Sequence, residues 1–147
     1  YDIKGRKYIG TLAKYYFQDV GLRNALLNFR QVEETHIMEN IIYNELRSRG
    51  YSVDVGMIEA RTATERRQLE VDFVANKGDK RYYIQSAFAL PNEEKREQEL
   101  ASLKRINDSF KKVIIMRDDI SPYHDENGVL IMGLMDFLLG TNVEEIL

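Results

Sequence analysis

The sequence has no cysteine, which excludes disulfides and thiolate metal sites and fits a reducing, cytoplasmic compartment. It has no apolar run long enough to cross a bilayer. The longest candidate, residues 129–139, is interrupted by Gly133 and Asp136. No Gly-x-x-x-x-Gly-Lys-Ser/Thr pattern occurs, so there is no P-loop for nucleotide phosphates. Internal repeats and low-complexity segments are also missing. His36 and His124 are far apart and lack ligand spacing, so both are expected to face solvent. Ser86 and Ser121 have no evident base partner for nucleophilic chemistry.

What is present is a chain of 147 residues, 44% hydrophobic and 31% charged, enough for one full core and short for two domains. It opens on Tyr1 rather than Met and is expected to be a piece of a longer protein. The net charge of −3 is unevenly spread. Residues 1–30 carry Lys4, Arg6, Lys7, Lys14, Arg23 and Arg30 against Asp2 and Asp19, whereas residues 83–147 are acidic. A globally acidic chain is not built for tight nonspecific nucleic-acid binding. Its basic start, Lys4, Arg6 and Lys7, still offers a contact for phosphate or an acidic neighbour.

Residues 1–9 read as a β-hairpin around Lys4-Gly5-Arg6. Lys14-Tyr15-Tyr16-Phe17 reads as a strand-like aromatic run, with base stacking as the functional alternative to a place in the core. Asp19 is a helix cap for Leu22, Ala25, Leu26 and Phe29. A clearer helix is expected from an N-cap at Thr35 to a C′ residue at Gly50, with Met38, Ile42 and Leu46 on its inner face. Residues 51–58 form an imperfect strand, and residues 61–68 read as a polar loop. Residues 69–75 alternate, with Leu69, Val71, Phe73 and Ala75 on one face and Glu70, Asp72 and Val74 on the other. Residues 81–90 form a long apolar strand. Asn92 starts a helix carrying Leu100, Leu103 and Ile106. Residues 112–116, then 129–132, complete the strands, and 135–139 a last short helix. The fold class is α/β: an α-β-β-β-α-β core with a mixed sheet, preceded by a basic hairpin and helix.

Three polar residues conflict with their local pattern. Glu39 borders the apolar face of its helix. Asp72 sits mid-strand, where Asp is disfavoured. Gln85 interrupts the apolar run Tyr83-Ile84-Gln85-Ser86-Ala87, and points to the same side as Ala87. The structural alternative is local pairing, for Asp72 with Arg66, Arg67 or Arg81. Arg66 and Arg67 precede the Asp72 strand and either grip a phosphate or neutralise Glu65, Glu70 and Asp72.

This order of elements, with Glu39, Asp72 and Gln85-Ser86-Ala87 in it, resembles the PD-(D/E)XK nucleases, and Glu39…Arg49-Gly50-Tyr51 is similar to archaeal Holliday-junction resolvases. Residues 14–25, 38–46 (Met-Glu-Asn-Ile-Ile-Tyr-Asn-Glu-Leu), 70–74 (Glu-Val-Asp-Phe-Val) and 83–87 look like the C-terminal domain of unknown function of bacterial and archaeal AAA-type ATPases. The resemblance implies a restriction-endonuclease-like core over residues 31–147 and a junction with a winged-helix region over residues 1–30. It implies partners in the parent chain, the ATPase and winged-helix modules, with ATP bound only upstream and DNA or another protein as further partners.

In such nucleases a helix Glu, a strand Asp and a Glu-x-Lys pair surround Mg²⁺ or Mn²⁺. Here Gln85 stands for the carboxylate and Ala87 for the Lys, with Lys95 or Lys80 as substitutes. Gln85 cannot supply the charge that a hard dication needs. The expected role is a catalytically inactive accessory domain for nucleic-acid or protein interaction. The alternatives are a metal-dependent nuclease using Glu39 and Asp72, and an oligomerisation module presenting residues 129–139.

Overall fold

A computed structural model describes residues 14–29, 33–61, 66–90 and 92–140, without the side chains of residues 59–61, 66, 67 and 93. The expected hairpin at residues 1–9 lies outside the described residues.

Short-range signals set most of the element ends. Helix α1 (Val20–Leu26) starts where Asp19 accepts a hydrogen bond from the Leu22 N–H at 3.0 Å, satisfying one of the donors that a helix start leaves open. Helix α2 (Glu34–Ser48) begins one residue before Thr35, with Glu33 at the cap and no side-chain bond there. It stops at Gly50, whose φ of +85° favours a residue without a Cβ.

Strands β1 (Ser52–Arg61), β2 (Arg66–Lys77) and β3 (Lys80–Ala87) form an antiparallel meander. The expected polar loop at 61–68 is shorter than read, because both strands extend into it. Helix α3 (Glu93–Lys104) opens on Asn92, which accepts from the Lys95 N–H at 2.8 Å. Strand β4 (Lys111–Met116) then pairs parallel to β3, and β6 (Leu130–Gly133) parallel to β4. The two-residue β5 (Tyr123–His124) closes the far edge, and α4 (Leu134–Leu139) follows β6. The sheet has six strands in the order β1-β2-β3-β4-β6-β5.

The sheet is covered on both faces. Met38, Ile42 and Leu46 of α2 and Phe137 of α4 pack on Phe73, Ala75, Ile84 and Ile115. Leu100, Leu103 and Ile106 pack on Val71, Val74, Tyr83 and Ile114 from the other side. Full burial of such side chains stabilises by about 1.5–3 kcal/mol each. The segment 129–139 belongs to this core: Val129 to Met132 and Phe137 are buried, because the last strand inserts beside β4. Met135 and Leu139 of the same segment are 49% and 72% exposed, so only its α4 half is left for the expected contact surface.

One irregularity breaks the alternation of β2. Asp54 of β1 pairs with Val74 but Gly56 pairs with Val71, so Asp72 and Phe73 together face the single residue Val55. This is a β-bulge, and it reverses the facing of the strand. Val71 lies in the α3-side cluster and Phe73 in the α2-side cluster, although simple alternation puts both on one face.

Candidate functional site

The bulge turns Asp72 toward α2 together with Phe73, and Glu39 projects from α2 to meet it. Between them stands a residue that the local pattern did not single out. The Lys14 ammonium lies 3.2 Å from Asp72 Oδ1 and 3.3 Å from Glu39 Oε2, and also contacts Glu70 Oε1. Three carboxylates from α2 and β2 thus share one positive charge. Asp72 is 6% exposed, and its second oxygen accepts from the Ser86 N–H at 2.9 Å.

Charge balance explains the titration of the group. Burial pushes the Asp72 carboxyl up, and Glu39 adds to this; Lys14 and the Ser86 N–H pull it down, leaving it at about 6. Burial works against the Lys14 ammonium too, but Asp72, Glu70 and Glu39 outweigh it and hold its pKa above the ordinary lysine range. The two directions are compatible. The lysine gains from all three acids, whereas each acid receives only a share of one ammonium.

Lys14 is delivered by an extended segment, residues 14–18, which is not a strand of the sheet. Asn40, 3% exposed, grips Phe17 at two points: its Oδ1 accepts from the Phe17 N–H at 2.8 Å and its Nδ2 donates to the Phe17 carbonyl at 2.6 Å. Asn44 donates to the carbonyls of Phe17 and Gln18. Tyr16 stacks on Tyr43 with ring centroids 4.3 Å apart, and burial raises its hydroxyl pKa. Tyr15 stays 85% exposed, so the aromatic run sends one ring inward rather than three. A cavity of about 240 Å³ lies beside this segment, lined by Lys14, Tyr16, Arg23, His36, Glu39 and Asn40 among others.

Glu39 and Asp72 are therefore brought together. Gln85 lies on the other side of the strand: its Oε1 accepts from the Asp72 N–H at 3.4 Å and its Nε2 donates to Glu99 of α3 at 3.4 Å. Lys95 pairs with the same Glu99 at 2.8 Å, away from the carboxylates around Lys14. Lys4, Arg6 and Lys7 lie outside the described residues, as do the side chains of Arg66 and Arg67. His36 is exposed beside Glu33, and His124 is exposed on β5.

As arranged, these residues do not fit a divalent cation. The acid oxygens are directed at an ammonium, Gln85 spends its oxygen on a backbone N–H, and Ala87 has no donor. Among the described residues no group of three or more His, Cys, Asp or Glu side chains is arranged to hold a metal ion. Among the described residues, too, no helix is long and apolar enough to cross a membrane.

Comparison with known proteins matches residues 34–137 to a family described as a domain of unknown function, DUF4143. The chain belongs to that family. The DUF4143 match runs from the first turn of α2 to Phe137 of α4, so it covers Glu39, Asp72 and Gln85 and leaves Lys14 outside. An uncharacterized protein of Haemophilus influenzae is 34% identical over 142 residues, which is 95% of this chain and 32% of that protein. The chain thus spans about a third of the length of the curated relative it matches.

One feature hinted at Lys14. It is a lone cation opening an aromatic run, and a lysine side chain that is largely buried needs an acid. Its three acid partners lie between 25 and 58 positions away, beyond the reach of any periodicity.

Proposed function

We propose that this domain is a noncatalytic accessory module of a longer ATPase, with a nuclease-like core whose carboxylate site is neutralised from within. The observation that carries this reading is the Lys14 ammonium between Glu39, Glu70 and Asp72. A metal-dependent nuclease needs those oxygens for a cation that activates water and stabilises the phosphate. Here they serve an ion pair that ties residues 14–18 to the sheet. The link to an ATPase is supported by the company that DUF4143 domains commonly keep with AAA ATPases, and by a relative about three times as long as its match to this chain.

The role of such a module is contact. Leu22, Leu26 and Phe29 are 58%, 66% and 67% exposed on and after α1. Apolar side chains in that number favour a protein partner, such as the ATPase or winged-helix module of the parent chain, over a nucleic acid.

A second reading is favoured by one observation: Glu39 and Asp72 do share a site. In that reading Lys14 supplies the ammonium that Ala87 lacks, and the domain cleaves nucleic acid with Mg²⁺ or Mn²⁺. Calorimetric titration with Mn²⁺, with Asp72→Ala as control, separates the two. The noncatalytic reading expects no heat of binding at millimolar ion and no cleavage of duplex, single-stranded or branched DNA. Binding and cleavage that both vanish in Asp72→Ala would establish the nuclease.

A further inference from the structure

We infer that residues 14–18 are a detachable strap, latched by Lys14, whose release uncovers the Glu39–Glu70–Asp72 face of the domain and is coupled to the position of α1.

The strap is held mainly by polar contacts rather than by burial. Four of its five residues are exposed, and only the Tyr16 ring is inserted, against Tyr43 and Phe73. Even that insertion is imperfect, since the Tyr16 hydroxyl is buried with no hydrogen-bond partner among the described residues. The cavity beside it, between strap, α1 and α2, means that the interface is not densely filled. Helix α1, which continues the strap, buries none of its residues. A segment with few buried apolar contacts and partly exposed hydrogen bonds opens at lower free energy than the sheet it lies on.

Yet the docked position is built into the rest of the fold. The described residues include three buried polar or charged side chains, Asn40, Asp72 and Ser102, and two of these, Asn40 and Asp72, hold the strap. Asn40 reads both backbone groups of Phe17, and the bulge in β2 aims Asp72 at Lys14. When the strap lifts, it bares these groups to water, which satisfies them in its place. Both states are thus chemically satisfied, which a switch requires and a permanent core contact does not. Asp19 then caps α1 directly after the strap, so a displacement of α1 is delivered to Lys14 through a short run of extended backbone.

This inference uses the same lysine as the noncatalytic reading but makes a different demand of it. The test is amide hydrogen exchange of the 147-residue chain, comparing the Phe17 N–H with that of Ile114 in the sheet centre. Wild type should exchange Phe17 at least tenfold faster than Ile114. Lys14→Met should speed Phe17 a further tenfold or more and leave Ile114 unchanged. Glu70→Gln, at a half-exposed position, should shift Phe17 in the same direction by a smaller factor. Phe17 exchanging at the Ile114 rate in wild type would overturn the strap as a separate unit. Unchanged Phe17 exchange in both variants would overturn the latch. Mn²⁺ binding by the wild type would instead overturn the noncatalytic reading and leave the exchange result standing.

Discussion

The Lys14 ammonium and the Asp72 carboxylate meet at 3.2 Å across 58 positions of sequence, and the arrangement favours the charged lysine while it disfavours the charged aspartate. Removing the lysine leaves Glu39, Glu70 and Asp72 facing one another in a mostly buried setting, where like charges are costly. The Asp72 pKa, already pushed up to about 6, rises further in Lys14→Met. A carboxyl whose folded pKa lies above its unfolded value contributes stability that is present at low pH and lost as pH rises through the folded pKa. Lys14→Met should therefore cost about 2 kcal/mol at pH 7.5 and clearly less at pH 5. Urea unfolding at the two pH values checks this; equal losses at both would contradict the coupling.

Asp72→Asn should act in the opposite direction. In the wild type the buried carboxylate is kept ionised at neutral pH against the influence of burial. The stability that its protonated form contributes is intact near pH 4 and lost as pH rises through about 6. Asparagine preserves the acceptor for the Ser86 N–H and carries no charge. The variant should gain about 2 kcal/mol at pH 7.5 and nothing near pH 4. A loss at pH 7.5 would mean that the Lys14 pair outweighs the burial cost.

Much of the frame was legible from short-range chemistry. Asp19 and Asn92 cap the helices they were read to cap, and Gly50 ends α2 in the conformation expected of it. The α-β-β-β-α-β succession is present as α2-β1-β2-β3-α3-β4. The sheet is mixed, as the alternation of strands and helices implies. The misses share a cause. The residues around Asp72 alternate well enough to conceal the bulge, because apolar side chains stand on both sides of it. Lys14 opens its aromatic run in plain view, but its acid partners stand on α2 and β2, outside any local window. Residues 129–139 divide: 129–132 fill the gap beside β4, whereas Met135 and Leu139 stay exposed on α4.

Glycine gives a third prediction, in which space and conformation are separable. A Cβ on Gly133 would lie 2.8 Å from the Asp118 carbonyl oxygen and 3.2 Å from the Ile120 nitrogen. Both neighbours are backbone, so they yield only by moving the loop. Gly133→Ala should cost about 1–3 kcal/mol. Gly128 has open space but a φ of +74°, so Gly128→Ala should cost about 1 kcal/mol from conformation alone. Denaturation midpoints of the two variants test the order, and a harmless Gly133→Ala would show that the loop gives way freely.

Arg49 supplies the last prediction, because it does more than sit near the end of its own helix. Its Nε donates to Glu45 at 2.6 Å, while its Nη atoms reach the carbonyls of Phe137, Leu138 and Gly140 at 2.9–3.1 Å. The guanidinium also lies 5.3 Å from the centre of the Phe137 ring. The side chain thus caps α4, six residues long, and a helix that short does not persist without tertiary support. Lysine keeps the charge but has neither the planar fork nor the reach to serve three carbonyls and a carboxylate at once. Arg49→Lys should therefore lose about 1–2 kcal/mol, and Arg49→Ala about 2–4 kcal/mol, since it leaves the α4 carbonyls and Glu45 without their donor. In both variants amide exchange should rise in α4 before it rises in β2 and β3. If Arg49→Lys matched the wild type in urea and in α4 exchange, guanidinium capping would not be what holds this helix to the end of α2.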